Sequence, residues 1–305
     1  MRIVALNQYY LPDLAPTGAR LHDLCRMLVT RGHDVTVLSS RHGYVDRRSY
    51  TPEEVLDGVR VSRAGTFGNG GNQGLTRIAR GFTFTCLCRR RLRRLKPAPD
   101  VILSLTTPPF IGLAARSAAR HLGCAHAHWI MDVYPDALAA HGLVKGDSIA
   151  YRRLQGLARR ELAGSALTLA LSPDMAQRLR QYTDDVTCVP LWSAPGLRPW
   201  PDGKANPVRV QRGWNDEDLV VMYSGNMGLG HRFDEFLHAA RAGWPHAKAR
   251  WVFSGGGQRR QAVAAETAGI RRACLLPYAS AEQLRAHLCS ADVHLASIDS
   301  AWKGC

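Results

Sequence analysis

A chain of 305 residues, 46% of them hydrophobic, is long enough for two domains with real cores, and it holds no low-complexity tract and no repeat at solenoid or propeller periods. The formal charge is +15 and uneven: residues 1–200 carry 27 Lys/Arg against 15 Asp/Glu, and the remainder 13 against 10, so a polyanionic partner or an arginine-rich proteome is expected. The eight cysteines include no C-x-x-C pair or metal-site spacing, no run approaches the ~20 apolar residues of a membrane span, and "MRIVALNQYY" lacks a secretory pattern; a disulfide scaffold, a zinc module and a spanning protein are excluded, and a reducing cytoplasm is expected.

The first elements are a buried strand at Ile3–Leu6, the loop "LPDLAPTG" stiffened by Pro12 and Pro16, and a helix. In that helix Leu21, Leu24, Cys25, Leu28 and Val29 fall on one face, and Gly32 ends it. Gly18, at the helix start, lets the backbone come close to a ligand or simply completes a rigid connector. A strand at Val35–Leu38 follows. "TFTCLCRRRLRRLKPAP" then carries Arg89, Arg90, Arg91, Arg93, Arg94 and Lys96, with Ile78, Phe82, Leu87, Leu92 and Leu95 as an interrupted apolar side. This reads either as a basic amphipathic helix lying on anionic lipid or as a solvated outer face. No nucleic-acid module or interleaved aromatics accompany it.

The strand–helix beat continues with a strand at 101–105, a helix at 110–122, a strand near 125–130, a helix at 147–163, a strand at 166–171, a helix from Pro173 and a strand at 186–189. Such alternation predicts α/β architecture with parallel sheets covered on both faces. In "HWIMDVYPD" Asp132 stands where a buried strand emerges; it serves proton transfer or charge in a ligand site, or else caps a helix near Pro135. His126 and His128 face one side of that strand, but without a third ligand their expected role is structural and no metal site is assigned.

From Leu191 to Pro207 the pattern breaks around four prolines, placing domains at 1–192 and 208–305 with a linker at 193–207. The beat then restarts: strand 219–224, helix 233–242, strand 250–254, helix 258–268, strand 273–276, helix 280–289, strand 292–297. "YSGNMGLGH" puts Gly225, Gly228 and Gly230 before a helix start, with His231 and Arg232 as side-chain donors. Free N–H groups and a partial positive charge there suit a phosphate, although the spacing is neither a P-loop nor G-x-G-x-x-G. One unit later "FSGGGQRR", with Gly256 at its centre, repeats the device, and the pair suggests a nucleotide.

Taken in order, "LNQYYLPDLAPTGARLHDL", "HWIMDVYPDAL", "LSPDMAQRL", "YSGNMGLGHRFDEFL", "FSGGGQRR" and "LPYASAEQL" resemble the family 4 retaining glycosyltransferases, nearest the bacterial cell-surface polysaccharide and O-antigen enzymes. The resemblance implies a GT-B architecture: two Rossmann-like domains across a cleft, the acceptor mainly on the first and a nucleoside-diphosphate sugar mainly on the second. It implies a lipid-linked or saccharide acceptor at the cytoplasmic membrane face, and no cofactor or metal. It would set Gly18 beside the donor phosphates, Asp132 near the reacting sugar, Gly225 and the following helix at the diphosphate, and Leu276, Pro277 and Tyr278 along the nucleobase. Asn226 and His231 stand where many relatives carry Arg and Lys. Relatives also continue beyond "WKGC", so the resemblance implies a C-terminally truncated second domain. The alternatives are a nucleotide-sugar 2-epimerase of the same fold and an inactive fragment or binding subunit.

Overall fold

A computed structural model of the chain describes residues 1–13, 15–43, 49–65, 74–191, 199–201, 204–243, 248–280 and 282–305, without the side chains of 74, 75 and 77. Residue 14 of the expected loop and residues 193–198 and 202–203 of the expected linker lie outside these. The chain forms two compact units, Met1–Ala194 with Gly304–Cys305, and Pro195–Lys303.

In the first unit, β1 (Arg2–Leu6), β2 (Asp34–Ser40), β3 (Glu53–Leu56), β4 (Val59–Ala64), β5 (Val101–Ser104), β6 (Ala125–Trp129), β7 (Leu167–Ala170) and β8 (Thr187–Cys188) form one sheet. Its order is β3-β4-β2-β1-β5-β6-β7-β8. Every neighbouring pair is parallel except β3 on β4. Strand alternation fills both faces from one short sequence. Ile3 and Ala5 of β1 join Leu21 and Cys25 of α1 (Pro16–Thr30) on one side. Val4 and Leu6 turn to the other, against Phe84, Cys88 and Leu92 of α2 (Gly74–Leu92) and Ile111, Ala115 and Ala118 of α3 (Ile111–Leu122). The short α4 (Asp136–Ala140), α5 (Ile149–Leu162) and α6 (Pro173–Leu179) complete the unit. Gly32, at φ +81°, terminates α1 as expected, and the amide of His33 returns to Leu28.

The hairpin β3–β4 was not among the expected elements. Asp57 and Gly58, both at positive φ, make its tight turn. The apolar side expected for the basic helix is also divided. Leu92 is buried and Leu87 and Leu95 pack against the same core, whereas Ile78 (69% exposed) and Phe82 (70% exposed) face solvent. At 100° per residue those two share an outward stripe with Arg89 and Arg93, with Arg90 on its flank. Arg91 leaves the stripe and donates to Ser62 Oγ of β4 at 3.1 Å.

The second unit opens with α7 (Pro207–Arg212), which begins at the last residue of the expected linker, and carries a four-stranded parallel sheet. Its strands are β9 (Asp218–Asn226), β10 (Lys248–Gly256), β11 (Ala273–Leu276) and β12 (Val293–His294), in the order β11-β10-β9-β12. The helices α8 (Asp234–Ala242) and α9 (Arg260–Thr267) cover one face through Phe233, Leu237 and Val263. Val208 of α7, with Trp214 and Ala291, packs on the opposite face. The helix expected at 280–289 is reduced to α10 (Leu284–Leu288), and the strand expected at 292–297 pairs only at Val293 and His294.

Candidate ligand site

In open parallel sheets ligands sit beyond the carboxyl ends of the strands, where the strand order reverses. In the first unit that point lies between β1 and β5, and in the second between β9 and β12.

After β1, Asn7 Nδ2 donates to the carbonyl of Tyr9 at 2.7 Å and to Thr17 Oγ1 at 3.2 Å. The fully buried Arg63 fixes the same loop by donating to Leu11 O at 2.6 Å while paired with Glu54. The loop folds so closely onto α1 that a Cβ at Gly18 would lie 2.9 Å from Tyr9 O and 3.1 Å from Tyr10 Cα. The protein's own backbone therefore accounts for glycine at 18. What α1 does offer is an amino end with Pro at its start, no capping side chain and no acid in its first turn, so its positive end is not neutralised from within.

Asp132 lies two residues beyond Ile130, where β6 has ended, and its amide and that of Met131 donate to Thr106 Oγ1 at 3.2 and 3.3 Å. It does not cap the nearby helix: α4 begins at Asp136, behind Pro135, without a side-chain cap. The other carboxylate of this stretch, Asp136, is buried and occupied by Arg178 (2.9 Å), Gln181 (3.2 Å) and Tyr182 (2.5 Å). Asp132 is half-buried just past the carboxyl end of β6.

Beneath it, His126 and His128 share Ser104 Oγ, at 2.9 Å from His126 Nε2 and 2.6 Å from His128 Nδ1. Glu161 Oε1 accepts from the amide of Gly112 at 2.8 Å, in the first turn of α3, and lies 3.7 Å from His128 Nε2. Burial pulls His126 down to about 4 and His128 to about 3, and pushes Glu161 up to about 8. This is a buried structural cluster. Among the described residues no group of three or more His, Cys, Asp or Glu could hold a metal.

In the second unit the two glycine loops interlock. Gly225 pairs with Gly255 and Asn226 with Gly256 in register. The amide of Met227 donates to Gly256 O at 2.6 Å, and that of Arg259 to Met227 O at 2.9 Å. A Cβ at Gly255 (φ +134°) would stand 1.9 Å from Gly225 O, and one at Gly257 (φ +121°) 2.4 Å from Asn226 Oδ1. Gly256 lies under the ring of Tyr278, which would be 2.8 Å from a Cβ there. Pro277 is tied down through its carbonyl by Ser254 Oγ at 2.8 Å. Gly225 differs: a Cβ on it would meet nothing nearer than Tyr223 Oη at 3.6 Å, so the fold itself does not require glycine there. A cavity of about 190 Å³ is lined by Leu276, Pro277 and Tyr278 with Val208, Arg212 and His287.

The helix behind this loop begins at Asp234, and Asp234 and Glu235 occupy its first turn, offsetting the positive end that an anion would use. Arg232 is already paired with Glu235. His231 Nδ1 lies 2.7 Å from Ser297 O, so Nδ1 carries the proton and donates. Ser297 Oγ also accepts from the amide of Arg232 at 3.0 Å, so 231–232 and the segment after β12 form one braced edge. Gly225, Asn226, Gly256, Pro277 and Tyr278 thus gather at the ends of β9, β10 and β11, with His231 and Arg232 on the β12 side. Gly18 and Asp132 belong to the first unit.

Comparison with known proteins follows this layout. The family model described as "Glycosyl transferase 4-like domain" matches residues 17–192. The probable glycosyltransferase WbjE of Pseudomonas aeruginosa is 25% identical over 242 residues, 76% of this chain and 58% of that protein. The chain therefore spans little more than half the length of that curated relative. Among solved structures, WaaG, a glycosyltransferase of lipopolysaccharide biosynthesis, is similar at TM-score 0.68 and 15% identity, over 98% of this chain and 76% of that one. The catalytic domain of starch synthase IV from Arabidopsis thaliana, bound to ADP and acarbose, is similar at 0.69 and 11% identity, over 96% and 77%. HepE of Anabaena, in complex with UDP-glucose, gives 0.63 and 14%, over 96% and 73%. The α/β fold with parallel sheets is thus that of GT-B glycosyltransferases.

Proposed function

Since this chain belongs to the glycosyl transferase 4-like family, we propose that it takes part in moving a sugar from a nucleoside diphosphate to a lipid-linked or saccharide acceptor, with retention at the anomeric carbon. The acceptor oxygen bonds to that carbon as its bond to the diphosphate oxygen breaks; nucleoside diphosphate and the acceptor's proton are released. The observation that carries the reading is Gly225. It sits at the kind of strand end where open parallel sheets commonly bind ligands, and its lack of a side chain serves no neighbour of its own. Tyr278 and Pro277, held on β10 beside it, offer an aromatic wall to a base. In the first unit, Asp132 and the uncapped start of α1 supply a carboxylate and an anion-favouring end. The nucleotide-bound neighbours support a nucleotide donor, and the similar proteins favour transfer over epimerisation.

Calorimetric titration of the full chain with UDP, ADP and GDP tests the donor. At least one is expected to bind, and binding by none would overturn the reading.

Binding to the inner surface of the cell membrane belongs to the same reading. No helix among the described residues is long and apolar enough to cross a membrane. The outward stripe of α2 instead joins Ile78 and Phe82 to Arg89 and Arg93. Each arginine near an anionic surface contributes about 1 kcal/mol, screened beyond ~8 Å at physiological salt. In vesicle flotation, binding to anionic vesicles is expected to fall steeply between low and physiological salt. Replacing Arg89 with Gln should weaken it about fivefold at low salt, and replacing Arg91, tethered to Ser62, should weaken it less. Equal binding to neutral and anionic vesicles would refute the surface.

A further inference from the structure

Six positive charges of the second unit are paired with its own carboxylates. Asp218, fully enclosed, takes Arg250 at 2.8 Å and Arg272 at 2.6 Å. Arg209 is held by Asp292 at 3.2 Å, Arg241 by Glu266 at 2.6 Å, and Arg232 by Glu235. Arg212 and Arg271 have no carboxylate within ion-pair distance among the described residues, and neither do Arg259 and Arg260, which differ in where they stand. Both are placed at the glycine loops. The amide of Arg259 is bonded to Met227 O of the first loop. Arg260 Nε donates to Gly255 O at 3.1 Å, which lays its guanidinium over the end of β10. Gly255 is the register partner of Gly225, so that guanidinium is anchored on the residue paired with the open position at 225. Only Nε is engaged, and the two terminal nitrogens have no protein partner among the described residues.

We propose that Arg260, assisted by Arg259, holds the diphosphate of the donor. The inference rests on the donor reading above and names the cations that Asn226, His231 and the ion-paired Arg232 do not supply. A guanidinium suits the task because its planar fork binds two phosphate oxygens at once and stays charged at every working pH. The device differs from a helix-end anion site: α8 carries two acids in its first turn, so the charge comes from side chains one βα unit further along the chain.

The test is calorimetry with a nucleoside diphosphate that the parent binds, paired with ligand-observed NMR of the matching nucleoside. Arg259→Ala/Arg260→Ala is expected to lose about ten- to a hundredfold in affinity for the diphosphate, the range expected for losing hydrogen bonds to a charged group. Its affinity for the nucleoside should stay within about twofold, since base contacts are untouched. Arg260→Lys should fall between parent and Arg260→Ala, keeping the charge but not the fork. Arg232→Ala should change diphosphate affinity less than threefold. Unchanged diphosphate affinity in the double variant would overturn the assignment and leave the donor reading standing. Equal losses for nucleoside and diphosphate would also overturn it, because a collapsed loop rather than a missing charge would be responsible. A parent that binds no nucleoside diphosphate would overturn both.

Discussion

Gly255→Ala is expected to destabilise the second unit by at least about 3 kcal/mol, while Gly225→Val leaves its stability close to that of the parent and weakens nucleotide binding instead. At 255 two costs add. The backbone holds φ at +134°, a conformation that costs an ordinary residue about 1–3 kcal/mol, and the new Cβ would fall 1.9 Å from the carbonyl of Gly225, a backbone atom that cannot swing away. The local hydrogen bonds Met227 N to Gly256 O and Arg259 N to Met227 O would have to shift with it. At 225 no left-handed φ is needed and the nearest atom, Tyr223 Oη, is at an ordinary 3.6 Å. Valine there fills space the protein leaves empty, and a loss of about tenfold or more in nucleoside diphosphate affinity should follow. Hydrogen exchange by mass spectrometry, read over β9 and β10, separates the cases. Early exchange in Gly255→Ala and parent-like exchange in Gly225→Val are expected; matched protection in the two variants would contradict the contrast.

The second expected result concerns pH. Glu161, raised by burial to about 8 from an ordinary 4.5, favours the folded state fully below about pH 4.5, and that contribution is lost as pH rises through 8. His126 and His128, lowered by burial to about 4 and about 3 from 6.5, act in the opposite sense. Their contribution is present above 6.5 and lost as pH falls through those values. Urea unfolding of the parent and of Glu161→Gln between pH 5 and 9 isolates the first effect. Glutamine can still accept from Gly112 and carries no titrating proton. The stability of the parent should therefore fall relative to the variant as pH rises through this range, by several kcal/mol, at about 1.4 kcal/mol for each unit of displaced pKa. Both should weaken together below about 6.5. Parallel curves across pH 5–9 would show that Glu161 ionises in the fold without penalty. Gly112→Ala offers a steric check on the same cluster, because its Cβ would lie 2.6 Å from Glu161 Oε1 and 2.8 Å from His128 Cε1.

Much of this architecture was legible in the residues. Strands as short as Val101–Ser104 and helices such as Ile111–Leu122 announce themselves because burial on both faces demands continuous apolar runs and one-sided helical stripes. The hairpin at 53–64 carried a readable signal too, Asp57-Gly58 between alternating residues, which the stronger βα rhythm obscured. Side-chain partnership was harder to read. Nothing in "GHRFDEF" says that Arg232 will choose Glu235, or that the helix will begin with two acids inside it rather than before them. Nor does a glycine state its reason. Gly18, Gly255 and Gly257 are small because the chain's own backbone crowds them, Gly225 is not, and the difference is set by residues remote in sequence. Arg259 and Arg260 lay beside glycines that drew the eye first, and only their bonds to Met227 and Gly255 set them apart.

The interlocked loops also bear on how such a protein can be altered. Gly225–Gly230 and Gly255–Gly257 are separated by two dozen residues, yet each supplies the wall against which the other is shaped. A chimera that imports one loop from a relative inherits a mould without its casting: the new carbonyl at 225 or the new residue at 255 meets a partner selected for a different outline. Exchange of donor preference between relatives must move β9, β10 and their terminal loops as one cassette, and substitutions tried singly across this seam will not add.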